Sequence, residues 1–128
     1  MKNAVVLMYN FDENKGKMIK MLCLKMGIRI KTIGKDQYKE SIGSLSGIKD
    51  VYKVDDIDDN AAADFDDEML IMKGFSSDDL NMFLGSFKKN GITKVALKAI
   101  VTPTNASWNS LKLYREIRSE AMAMGDLR

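Results

Sequence analysis

A chain of 128 residues is about one domain, and can bury roughly two thirds of its unfolded surface in a single core. With 45% apolar residues, 30% charged residues and a net charge of +2, it has the balance of a globular protein and not of a disordered chain. Histidine is absent and there is one cysteine, which removes imidazole bases, histidine ligands and thiolate metal sites from the available chemistry.

No apolar run approaches the ~20 residues that a membrane helix needs. The start MKNAVVLMYNFDE turns acidic where a signal peptide would continue apolar. The expected compartment is the cytoplasm, with no cofactor. Charge is segregated: residues 1–54 carry +6, residues 55–68 carry −8 and residues 69–128 carry +4. Two basic halves therefore flank an acidic connector (55–68) within one domain spanning 1–128.

Ala4 to Met8 reads as a short strand. Asp12 then caps a helix bearing Met18, Ile19, Leu22, Cys23 and Met26, and Gly27 ends it. Cys23 lies on the apolar phase of that helix, as a packing cysteine would. Ile28 to Ile33 alternates as a second strand. Asp36 is a candidate cap for a short helix carrying Tyr38, Ile42 and Leu45. The connector has carboxylates enough for calcium but lacks the EF-hand glycine and terminal glutamate, so a solvated linker is expected.

The scheme then recurs. Met69 to Met72 is strand-like, Ser76 opens a Ser-x-x-Asp cap with Asp79, and Leu80, Phe83, Leu84 and Phe87 form a helical stripe before Gly91. At an offset of 64 residues, 5–28 aligns with 69–92 without a gap, and six of the 24 pairs are identical, among them Met8/Met72, Phe11/Phe75 and Met18/Met82. Asp12 falls on Ser76 and Gly27 on Gly91. Lys94 to Val101 is a fourth strand. A last helix follows, with Tyr114, Ile117, Ala121 and Met124 on one stripe.

Two βαβα halves (4–54 and 69–124) predict a small α/β three-layer sandwich. Its four-stranded sheet is expected to be mainly parallel, in order 2-1-3-4, with right-handed crossovers as in about 98% of parallel connections. The equivalent first strands would lie side by side and parallel, related by a twofold axis along the strands. The alternative is a ferredoxin-like α+β sheet of two βαβ units with antiparallel central strands.

A ligand in an open parallel sheet sits at the strand carboxyl ends. That rule gathers Asn10, Asp12, Lys73, Gly74 and Ser76 as one candidate anion site at two helix N-termini, or else as turn and cap residues only. The second candidate is the corner Lys98, Thr102, Thr104, Asn105 and Trp108. It would combine hydroxyl and amide groups with an indole on the first turn of the last helix. The alternative roles are structural: Trp108 as an anchor, and Lys98 as a guard on an edge strand.

The residues of 69–108 carry a resemblance. Gly74-Phe75, Leu80, Lys98-Ala99, Thr102, Asn105 and Trp108 resemble a small bacterial domain family of unknown function. That resemblance implies no activity.

The best reading is a non-catalytic module for a small ligand or protein partner. Self-association through the C-terminal helix, as a homodimer using Met122 and Met124, is the alternative, with an enzyme third. The strip Lys112, Arg115 and Arg118 lacks any accompanying nucleic-acid motif. Met18, Met26, Met72 and Met82 are expected in the core.

Overall fold

The structure is a computed structural model that describes residues 1–49 and 64–125. In chain order the elements are β1 (Val5–Tyr9), α1 (Glu13–Met26), β2 (Arg29–Thr32), a 3-10 turn (Lys35–Gln37), α2 (Ile42–Leu45), β3 (Met69–Lys73), α3 (Ser77–Lys89), β4 (Lys98–Ile100), a second 3-10 turn (Asn105–Ser107) and α4 (Ser110–Ala123). Residues 50–63, which include most of the acidic connector, lie outside the described residues.

Local chemistry sets the helix ends where the sequence puts them. The Asp12 carboxylate accepts from the Lys15 backbone N–H, and the Ser76 hydroxyl accepts from that of Asp79. Gly27 closes α1 in the left-handed conformation, at φ 72°. Asp36, by contrast, lies inside the 3-10 turn, and Ser41 caps the short α2.

The four strands form one sheet in the order β2-β1-β3-β4. The outer pairings, β1 with β2 and β3 with β4, are parallel. The central pairing is antiparallel, with Val5 opposite Lys73, Leu7 opposite Ile71 and Tyr9 opposite Met69. The strand order and the mainly parallel α/β character thus agree with expectation, whereas the parallel central pair does not. The observed sense of β1 and β3 is that of the ferredoxin-like alternative. A twofold operation relating these two strands is perpendicular to them, and it passes through Leu7 and Ile71, the same two residues that the 64-residue offset equates.

The reversal has a visible cause at the entry to β3. The Asn10 side-chain amide, just past the end of β1, donates to the carbonyls of Phe65 and Asp67 at 3.0 and 3.1 Å. Lys15 pairs with Glu68 and Lys35 with Asp66. The chain is therefore pinned beside the carboxyl end of β1 and can only enter β3 running back along it. Of the last residues of the connector, Asp64, Asp66 and Asp67 are exposed as expected, but Phe65 is 4% exposed.

Strand alternation divides the core between two faces. Val6, Met8, Leu70 and Met72 meet Ile19, Leu22 and Cys23 of α1 and Phe83 and Phe87 of α3, with Phe11 and Phe75 packed at the margin. Val5, Leu7, Tyr9, Met69 and Ile71 meet Tyr38, α2, Phe65 and α4 on the opposite face. Three layers result. On the α4 stripe Ile117 and Ala121 are buried and Tyr114 is half-buried, while Met124, just past the helix, is exposed. Met72 is buried and Met18 and Met26 half-buried, but Met82 is 59% exposed. It lies on the outward turn of α3, not in the core.

Gly85 is also on that outward side. A Cβ there would meet nothing within 4 Å among the described residues, so none of them requires the glycine. It weakens the helix interior by about 1 kcal/mol relative to alanine.

Candidate functional site

The antiparallel central pair separates the first candidate cluster. The carboxyl ends of β1 and β3 point to opposite ends of the sheet, so Asn10 and Asp12 stand at one end and Lys73, Gly74 and Ser76 at the other. Each has a structural task. Asn10, at φ 59°, clamps the chain entering β3 and also donates to the Tyr38 hydroxyl at 3.0 Å. Asp12 and Ser76 spend their side chains on caps. Lys73 donates to the Ser46 carbonyl at 3.3 Å. Gly74, at φ 80°, passes so near the N-terminal segment that a Cβ would lie 2.3 Å from the Asn3 carbonyl oxygen.

In the second cluster only Thr102 and Asn105 bond to one another, and the polar groups of Asn105 are spent on the backbone of the turn. Asn105, 7% exposed, accepts from the Thr102 N–H through Oδ1 at 2.9 Å and donates through Nδ2 to the Ile100 carbonyl at 3.0 Å. Its own N–H donates to the Thr102 hydroxyl at 3.1 Å. This reciprocal lock turns the chain from β4 toward α4. Thr104 is exposed. Lys98 sits on β4 at the sheet edge, as anticipated, and donates to the Val95 carbonyl at 2.9 Å.

Trp108 precedes α4 in extended backbone and is not on its first turn. Its carbonyl accepts from Ile42 N–H at 2.8 Å, and the Lys112 ammonium lies 4.7 Å from the ring centroid. Asn109, not Thr104 or Asn105, caps α4. Its Nδ2 is buried and has no hydrogen-bond partner among the described residues.

Reactive chemistry is scarce among the described residues. No group of three or more His, Cys, Asp or Glu could hold a metal there, and no helix is long and apolar enough to cross a membrane. Cys23 is fully buried, and desolvation pushes its thiol up to about 12, the reverse of an activated nucleophile. Desolvation also raises the Tyr9 hydroxyl, against the opposing hydrogen bond to Ser110.

These shifts carry a pH signature. An acid whose folded pKa lies above its unfolded value binds more protons when folded, so stability falls as pH rises from the unfolded pKa toward the folded one. Between pH ~9 and ~12, Cys23 should cost about 1.4 kcal/mol per pH unit. Denaturation of the parent and Cys23→Ala across that range checks it: the variant should show the shallower slope.

Two cavities among the described residues are lined by residues of the strands or the turns at their ends. The larger, about 510 Å³, adjoins the ends of β1 and β2 and is lined by Asp12 and Glu13 as well as Lys17 and Lys20. The other, about 350 Å³, lies between α3 and the β4 edge. Leu84, Phe87, Ile92 and Val95 give it apolar walls, and Lys88, Lys94 and Lys98 complete the lining with Thr93. A longer connection makes room for it. Paired residues of β1 and β2 are 24 apart in the chain (Val5 and Arg29), against 28 for β3 and β4 (Leu70 and Lys98). The sequence signal was the loss of the 64-residue match after Ile92, which marks where the second half departs from the first.

The cavity walls and the Thr102–Trp108 corner lie within a single stretch that compares with a known family. Residues 68–124 match a domain of unknown function, DUF3783. The DUF3783 match includes β3, α3, β4 and α4 and covers the 69–108 segment singled out from sequence, while β1, α1 and β2 fall outside it. Neither the curated proteins nor the solved structures hold a significant match to the chain.

Proposed function

We propose that this protein is a non-catalytic module that binds a small, largely apolar ligand in the α3–β4 cavity. The carrying observation is the cavity itself: about 350 Å³ with four apolar side chains in its walls, within the ~300–1,000 Å³ typical of ligand sites. The larger cavity presents both signs of charge, and its Asp12 is already spent on a cap. Every residue of the smaller cavity lies within the DUF3783 match, so the site can travel with that segment wherever it occurs. A burial-silenced cysteine and the absence of histidine support binding over catalysis.

Amide chemical shifts followed while octanoate or indole is titrated test the reading. The expected result is a saturable shift confined to Leu84, Phe87, Ile92, Val95 and their neighbours. Unmoved resonances there at saturating probe would overturn it. Self-association through α4 is the second reading, supported by Met122 at 51% and Met124 at 76% exposure. A sedimentation coefficient that rises with concentration in the parent, but not in Met122→Glu, is its expected mark.

A further inference from the structure

The outer surface of the α1–α3 layer is left without a role by this reading. Met21 is 61% exposed, Leu24 80% and Met82 59%. Lys17, Met21 and Leu24 recur at i, i+4 and i+7 on α1, and Met82, Gly85 and Lys89 at i, i+3 and i+7 on α3, so each helix turns one stripe outward. Along α1, where it meets the C-terminal end of α3, lies a furrow of about 220 Å³ lined by Met18, Met21, Leu22, Lys25 and Asn90. Lys17, Lys20, Lys25 and Lys89 make no ion pair among the described residues. Glu13, Asp78 and Asp79, the acidic groups of these two helices, all belong to first turns, where the helix dipole favours them.

We propose that this face is a docking groove for an acidic amphipathic helix of a partner protein. An apolar stripe on that helix would lie against Leu24 and against Met18, Met21 and Met82, three methionines whose unbranched thioethers adapt to irregular surfaces. Its flanking carboxylates would meet Lys17, Lys25 and Lys89. Gly85 acquires a purpose: a helix position without a side chain, which none of the described residues demands, lets a partner backbone come close. A second copy of the chain fits less well, because it would set the same unneutralised lysines against one another.

The test is fluorescence anisotropy of a labelled peptide of Leu-Glu-Glu-Leu-Leu-Glu-Glu repeats, with a peptide carrying Lys for every Glu as control. The acidic peptide should bind, weaken as salt rises, and lose on the order of tenfold in affinity with Leu24→Asp, with Lys25→Glu and with Gly85→Phe. These positions are exposed, and far-UV circular dichroism should be unchanged. Arg118→Glu on α4 should leave binding intact. Absent binding, equal binding of the lysine peptide, or indifference to all three groove variants would overturn the proposal. So would dimerisation of the parent that Leu24→Asp abolishes, which would assign the face to a second copy.

Discussion

Replacing Phe65 by alanine should destabilise the protein by about 3–5 kcal/mol, the range for removing a buried phenylalanine. Phe65 is 4% exposed and fills the space between two tyrosines. Its ring stacks on Tyr114 at 4.0 Å between centroids and on Tyr38 at 4.6 Å, with Tyr9 at 5.8 Å. The truncation would open a void among Tyr9, Tyr38 and Tyr114, and these rings are held by hydrogen bonds and cannot easily collapse inward. Tyr9 is bonded to Ser110 at 2.7 Å and Tyr38 to Asn10 at 3.0 Å. Because Phe65 and Asp67 also supply the carbonyls that Asn10 grips, the void lies at the point where β3 enters the sheet. A loss of that size is a large share of the ~5–15 kcal/mol available to a domain. Urea denaturation measures it; a loss under 1 kcal/mol would show that the aromatic stack does not hold the entry to β3.

Asn105→Ala is the second large effect, and it should appear in stability rather than in binding. The substitution leaves the Thr102 N–H and the Ile100 carbonyl without their protein partner. A buried group so orphaned costs about 1–3 kcal/mol. Ile100 is 48% exposed, so water can reach part of the gap, and about 2 kcal/mol in total is expected. Thr102→Val removes the hydroxyl that accepts from the Asn105 N–H and should cost less, about 1 kcal/mol. The two substitutions dismantle one lock, so the double variant should lose less than the sum of the singles. Additive losses would contradict a shared lock.

What could be read from the sequence is what is decided locally. Asp12, Ser76 and Gly27 fix helix ends through bonds to residues a few positions away, and the strand-and-helix order and the sheet order follow from the elements that they bound. The sense of β1 against β3 is settled by a contact between Asn10 and Phe65, 55 residues apart, and no periodicity encodes that. Phe65 itself was hidden by its setting, one aromatic ring in a run of carboxylates. Met82 falls on the outward side of α3, next to the turn occupied by Phe83, and an apolar residue in a helical pattern does not declare its side. Trp108 and Asn105 stand out in the sequence by residue type. Their chemistry is directed inward, however, because a turn with several hydroxyl and amide groups satisfies its own backbone before it can offer them to a ligand.

Under the proposed function, residues 68–124 hold a polar corner that builds the fold and an apolar cavity proposed to bind the ligand. Octanoate affinity, measured side by side for Asn105→Ala and for Val95→Trp at a temperature where both are folded, tests that division most directly. The account predicts that Asn105→Ala binds as the parent does, while Val95→Trp, with its cavity filled, does not bind. Binding lost in the first and kept in the second would contradict it.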